Sequence, residues 1–212
     1  PTVTLTSEKV SINELVAGDS TAIIVTLSTA SGLPVTVTLV TSGQAADTID
    51  YTLSDTTIVI PAGSTVGQVI LTSLDDLLDE INETVVIDIN TVTNGTEFSP
   101  ETVTVPIIDN EVEPSVILLV GSNIIGEDTG TTSTTVTAKL NTVSGKVVTV
   151  GLLFAGTANK SPVTPDTIDY TATSTITIPI GAIEATITLS AASDLLDEEN
   201  ETVIIAIDTV QN

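Results

Sequence analysis

The sequence repeats itself over a length that corresponds to a whole domain. The hexapeptide DTIDYT occupies residues 47–52 and recurs at 166–171, and the pentapeptide DLLDE occupies residues 76–80 and recurs at 194–198. A period this long indicates tandem domains rather than a solenoid of short structural units. The fold of one copy is therefore expected to be the fold of the other.

The chain of 212 residues has room for two such domains. The repeat predicts domains at 1–112 and 113–212, with the charged, proline-containing stretch 111–114 at the junction. The second copy ends at Asn212, which matches Asn94 of the first. We therefore expect the second domain to lack its last strand, either because the chain belongs to a longer array or because a neighbouring molecule donates a strand. The β-prone residues 1–7 are the candidate donor.

Each copy consists of short runs in which Thr, Val and Ile predominate. These β-branched residues fit a pleated, half-buried surface, and turn sequences such as Asn94-Gly95 separate the runs. In the first copy the predicted strands are 21–28, 35–41, 57–61, 67–73, 84–91 and 101–108. The pattern predicts an all-β chain of two antiparallel β-sandwiches with about seven strands each, and it predicts a loop or single turn at 75–82.

Composition excludes several classes of function. The chain has 28 acidic and 4 basic residues, a net charge of −24, and neither His nor Cys. Such a charge repels nucleic acid, and zinc, copper and haem sites require His or Cys in nearly every form. A glycosidase with two carboxylates is the remaining enzyme hypothesis. The chain has no Arg or His and only two Tyr and two Phe to position a sugar, so we do not predict an enzyme.

Neither disorder nor membrane insertion is predicted. Hydrophobic residues make up 41% of the chain, which is enough for packed cores. The apolar runs stay well below the ~20 residues of a membrane span.

The acidic residues cluster in loops and at strand ends. Two unit charges 4 Å apart repel by about 1 kcal/mol in water and about 4 kcal/mol at an effective dielectric constant of 20. A hard divalent cation would relieve that repulsion, and calcium (Ca2+) tolerates irregular oxygen cages better than magnesium does. The alternative interpretation is an acidic surface that is simply solvated.

Several motifs, taken in order, resemble the Calx-beta domain. They are Asp50-Tyr51, IPAG at 60–63, LDDLLDEINET at 74–84 and VPIIDNE at 105–111. The resemblance covers essentially the whole first copy and about four-fifths of the second. It implies a seven-stranded immunoglobulin-like sandwich that binds calcium through loops at one end.

The resemblance also implies a set of calcium ligands. In the first copy these are Glu14, Asp50, Asp75, Asp76, Glu80, Glu83, Asp109 and the carbonyl of Leu78. In the second copy they are Glu127, Asp169, Asp194, Glu198 and Glu201. Ser193 replaces the counterpart of Asp75 and the closing Asp-Asn-Glu segment is absent, so the second copy is expected to bind calcium more weakly.

Three functions follow as expectations. The first is a structural or adhesive repeat of an extracellular surface protein or fibre, with calcium ions and neighbouring repeats or subunits of the same protein as partners. The second is a calcium sensor like the regulatory domain pair of sodium–calcium exchangers, and the third is a filament subunit assembled by strand donation.

Overall fold

The computed structural model describes residues 1–15, 17–127, 130, 132–160, 168–193 and 199–212. The chain divides into two compact units. The first unit comprises Pro1–Leu77 and Ile81–Glu111, and the second comprises Val112–Asn212 together with the short segment Leu78–Glu80. All described secondary structure is β, which confirms the predicted all-β class.

The first unit is built from two five-stranded sheets. Its described strands are β1 (Thr2–Ser7), β2 (Ile12–Asn13), β3 (Ser20–Leu27), β4 (Val35–Gly43), β5 (Tyr51–Leu53), β6 (Thr57–Ile60), β7 (Val66–Ser73), β8 (Glu83–Thr93), β9 (Thr96–Glu97) and β10 (Thr102–Ile108). One sheet has the order β5-β7-β3-β1-β9 and the other has the order β2-β10-β8-β4-β6. Most pairs are antiparallel, but β2 runs parallel to β10 and β9 runs parallel to β1.

Alternation of buried and more exposed side chains along the strands produces the core of the first unit. In β1, Val3 and Leu5 are buried between more exposed threonines, and in β8 Val85 and Ile87 are buried in the same way. Successive side chains of a strand point to opposite faces, so every second residue enters the space between the two sheets. Residues from both sheets form one continuous hydrophobic cluster, which makes the unit a β-sandwich.

Residues 1–7 are therefore an integral part of the first unit. They form β1, which pairs antiparallel with β3, and Val3 is completely buried. The expectation of a free terminal donor segment is wrong, because donation would pull Val3 and Leu5 out of their own core.

Among its described residues, the second unit repeats the arrangement with fewer strands. Its described strands are β11 (Val116–Val120), β12 (Ser133–Leu140), β13 (Val148–Gly156), β14 (Tyr170–Thr171), β15 (Thr175–Ile178), β16 (Glu184–Ala191) and β17 (Val203–Gln211). One sheet has the order β11-β12-β16-β14, and the other has the order β15-β13-β17. A separate hydrophobic cluster fills the space between them.

The predicted strands of the first copy are confirmed to within about two residues at their ends, and 75–82 lies between β7 and β8 as a loop. The short strands β2, β5 and β9 were not predicted, because two or three residues carry no measurable periodicity. The described residues contain no helix long and apolar enough to span a membrane.

Candidate metal centre

The parallel pairing of β2 with β10 brings two distant acidic residues together. Ile108 lies opposite Asn13, and the backbone N–H of Glu14 donates to the carbonyl oxygen of Ile108 at 3.0 Å. Glu14 and Asp109 therefore each follow the last paired residue of their strand. In a parallel ladder, residues at matching positions point to the same face, so the two carboxylates emerge side by side.

Glu111 completes a group of three carboxylates. Glu14, Asp109 and Glu111 each offer one oxygen, and these three oxygens lie within 4.8 Å of one another. Asp109 and Glu111 are two residues apart, which places their side chains on the same side of an extended chain. Glu14 is only 6% exposed, so the group is partly removed from water.

The electrostatics of the group disfavour three negative charges. Burial, followed by the negative charges of Asp109 and Asp75, raises the pKa of the Glu111 carboxyl above its usual value. Among the described residues, no hydrogen bond reaches the buried Oε2 of Glu111. A bound proton or a bound cation would stabilise this arrangement, and either would be favoured by the net charge of −24.

Hydrogen bonds hold the segments around the carboxylates in place. The side-chain amide of Asn110 donates to the backbone oxygen of Glu14 at 2.5 Å and to Oδ1 of Asp75 at 3.0 Å. The backbone N–H of Asp109 donates to Oδ1 of Asn82 at 3.1 Å. Asp75 is thus tied to the group through Asn110, on the loop that follows β7.

Asp19 fixes the short strand β2 from its other side. Its Oδ2 accepts the backbone N–H of Asn13 at 3.1 Å, and its Oδ1 forms an ion pair with Nζ of Lys9 at 2.5 Å. The Lys9 and Asn13 hydrogen bonds lower the pKa of Asp19. The residue next to Glu14 is therefore anchored by a carboxylate that stays ionised at neutral pH.

Three other predicted ligands of the first copy, Asp50, Asp76 and Glu83, lie outside this group. Oδ2 of Asp50 accepts the backbone N–H of Ala46 at 2.5 Å, which closes a turn. Asp76 is exposed, and Glu83 is half-buried at the start of β8. None of these three belongs to the three-carboxylate group.

The predicted ligands Leu78 and Glu80 belong to the second compact unit. Between them lies Asp79, which is 2% exposed and pairs with Nζ of Lys146 at 2.8 Å. Oγ of Ser144 donates a further hydrogen bond to Oδ2 of Asp79 at 3.2 Å. Paired in this way, Asp79 is a structural carboxylate of that unit.

The second unit reproduces one local feature of the first. Oδ2 of Asp169 accepts the backbone N–H of Asn159 at 2.5 Å, as Asp50 does with Ala46. Glu127 is half-buried and Glu201 is exposed.

The predicted ligands Asp194 and Glu198 lie outside the described residues. Within the described part of the chain, the group formed by Glu14, Asp109 and Glu111 is the one that brings three potential ligands together. Glu111 was not among the predicted ligands. Its position two residues after Asp109, on the same side of an extended chain, was a signal that could have identified it.

Comparison with known proteins gives similarities of structure only. The sequence matches no family model and none of the curated proteins. The calcium binding domain CBD12 of CALX1.1 is similar with a TM-score of 0.43 and 17% identity, covering 96% of this chain and 80% of that chain. The apo form of the Calx CBD1 domain has a TM-score of 0.43 and 16% identity, with coverage of 52% and 99%. The class 5 fimbriae chaperone CfaA has a TM-score of 0.36 and 12% identity, with coverage of 97% and 100%. Membership of the Calx-beta family remains a prediction.

Proposed function

We propose that the first unit is a calcium-binding domain in which Glu14, Asp109 and Glu111 supply carboxylate ligands. The observation that carries this proposal is the convergence of three carboxylate oxygens within 4.8 Å, one of them on a residue that is 6% exposed. Uncompensated charges that are buried together either cost several kcal/mol of folding free energy or shift their pKa values. A change of one in pKa corresponds to ~1.4 kcal/mol. A cation removes that cost without protonation.

The available donor atoms favour calcium over other metals. The group offers carboxylate oxygens, and the sequence contains no imidazole or thiolate. Calcium accepts about 6–8 oxygen ligands in irregular geometry, with water filling the open positions, whereas magnesium requires a near-ideal octahedron. Asp75 is the further carboxylate best placed to join, because its charge already acts on Glu111.

Calorimetric titration and thermal melting of the full chain test the proposal. At a calcium concentration of 100 Kd, binding stabilises the domain by about 2.7 kcal/mol, which raises its melting temperature by roughly 10 °C or more. Magnesium at the same concentration is expected to have a smaller effect. An unchanged melting temperature, together with no heat of calcium binding, would remove the proposal.

We further propose that the two units form a non-enzymatic structural or adhesive module of an extracellular surface protein, with calcium stiffening the junction. Glu111 is the last residue of the first unit and Val112 is the first residue of the second. A cation bound to Glu111 would therefore restrict the chain at the point where the units join.

The calcium affinity distinguishes this role from that of a regulatory sensor. Extracellular modules bind calcium at about 10⁻⁴–10⁻³ M, whereas sensors respond at about 10⁻⁷–10⁻⁵ M. A dissociation constant in the upper range supports the structural role. A micromolar constant accompanied by a change in radius of gyration would favour the sensor.

A further inference from the structure

The strand β17 of the second unit is the counterpart of β8 in the first. Gly43 of β4 lies opposite Val85 of β8, and Gly156 of β13 lies opposite Val203 of β17. In both ladders the register shifts four to five residues before the glycine. In the first unit β8 also pairs with β10 on its other side. Among the described residues, β17 pairs with β13 alone.

The open edge leaves apolar side chains incompletely buried. Val85 and Ile87 of β8 are completely buried, whereas their counterparts Val203 and Ile205 of β17 are only half-buried. Ile207, the next residue on the same face, is 37% exposed.

The facing sheet shows the same difference. Val3 and Leu5 of β1 are buried in the core of the first unit. Their counterparts Val116 and Leu118 of β11 are partly buried at the margin of the second core. Together these residues form an incompletely covered apolar edge of the second unit, on β11 and β17.

The first unit shows what covers the equivalent edge of β8. Val103, Val105 and Ile107 of β10 point into its core, and all three are buried. Val103 lies opposite Ile87, and Val105 lies opposite Val85. Since the registers of the two units match, a strand of this kind would place its apolar residues opposite Ile205 and Val203.

We propose that the open edge of β17 is a docking site for one extended strand of the β10 type. The occupant runs antiparallel to β17 and carries Val or Ile at alternate positions, so that these side chains cover Val203 and Ile205. Backbone hydrogen bonds to β17 supply affinity, and the alternate apolar side chains supply specificity. A long edge strand with apolar residues and a single acidic one, Asp208, is otherwise an aggregation site.

Hydrogen exchange with a peptide added in trans tests the docking. A synthetic peptide with the sequence of residues 101–110 is added to the full 212-residue protein, in chelator so that calcium plays no part. In ~0.15 M salt, where charges are screened beyond about 8 Å, the amides of β17 are expected to exchange at least about tenfold more slowly. The control peptide carries Val103→Thr, Val105→Thr and Ile107→Thr, which keep the β propensity and remove the apolar contacts, and it should give no protection.

A graft in cis provides a second measurement that does not depend on peptide solubility. Residues 95–110 are appended after Asn212, which reproduces the connection that follows β8 in the first unit. The melting temperature of the second unit should rise by about 4 °C or more, and the same graft with the three threonine substitutions should not raise it.

Two results would overturn the inference. The first is the absence of β17 protection by the peptide together with an unchanged melting temperature of the graft. The second is protection of β17 that grows with protein concentration in the absence of peptide, accompanied by a dimeric mass in light scattering. The second result would assign the edge to another copy of this chain pairing through β17 itself.

Discussion

Glu14 and Asp109 stand side by side because the N–H of Glu14 donates to the carbonyl oxygen of the residue before Asp109, at 3.0 Å. The two residues come from opposite ends of the first unit's sequence. A parallel pair of only two residues between β2 and β10 is enough to set them in register. The proposed calcium site therefore depends on one of the two-residue strand pairings of the first unit.

Replacing Glu14 separates binding from stability. Glu14→Gln keeps the shape of the side chain and removes its charge, so calcium affinity should fall by about 10- to 100-fold. In chelator the same variant should be slightly more stable than the wild type, since one of three crowded charges is gone. Calorimetry and urea unfolding measure the two effects. Glu8→Gln, on an exposed residue, is the matched control and should change neither quantity.

The stability of the calcium-free first unit should depend on the ionisation of Glu111. Its pKa in the folded state is raised above the ordinary value of 4.5, so the folded state holds the proton more tightly than the unfolded state. Stability should therefore decrease as the pH rises from about 4.5 to the raised pKa, and then level off. Urea unfolding in chelator across this range measures the slope, and Glu111→Gln should remove it. A slope of opposite sign that persists in the variant would contradict the assignment.

Matched core substitutions should reveal the difference between the two units. Ile87→Ala in the closed first core should cost about 2–5 kcal/mol, whereas Ile205→Ala at the open edge should cost clearly less. Ile205 is already half-buried, so its truncation removes less contact and leaves no enclosed cavity. Native-state hydrogen exchange reports each unit separately, which a single melting curve does not. Equal costs would show that the second core is as closed as the first.

Gly43 should not tolerate a side chain. Its φ is +118°, and a Cβ atom there would collide with the backbone oxygen of Thr84. Gly43→Ala should destabilise the first unit by about 1–3 kcal/mol, because both the backbone conformation and the strand pairing resist the change. Gly32 has no atom within 4 Å of its Cβ position, so Gly32→Ala is the control and should be nearly neutral. Chemical unfolding of the two variants decides the point.

Sequence periodicity was sufficient for the long strands and insufficient for the short ones. The alternation of β8 predicts a half-buried strand, and the predicted range 84–91 lies inside the observed Glu83–Thr93. The strand β2 has only two residues, and it exists because the parallel edge of β10 offers hydrogen-bond partners. Such a strand is a product of the assembled sheet and has no local signature.

The sequence by itself determined the repeat, the all-β class and the acidic character that requires compensation. These properties are local or additive, since they depend on alternation, turn residues and the sum of charges. Glu14 and Asp109 were already among the expected ligands, but tertiary structure decided the full set of carboxylates that meet. It selected Glu14, Asp109 and Glu111, used Asp50 to close a turn, and paired Asp79 with Lys146. Proximity between distant residues follows from strand pairing across the whole sheet, and a linear pattern of charges does not contain that information.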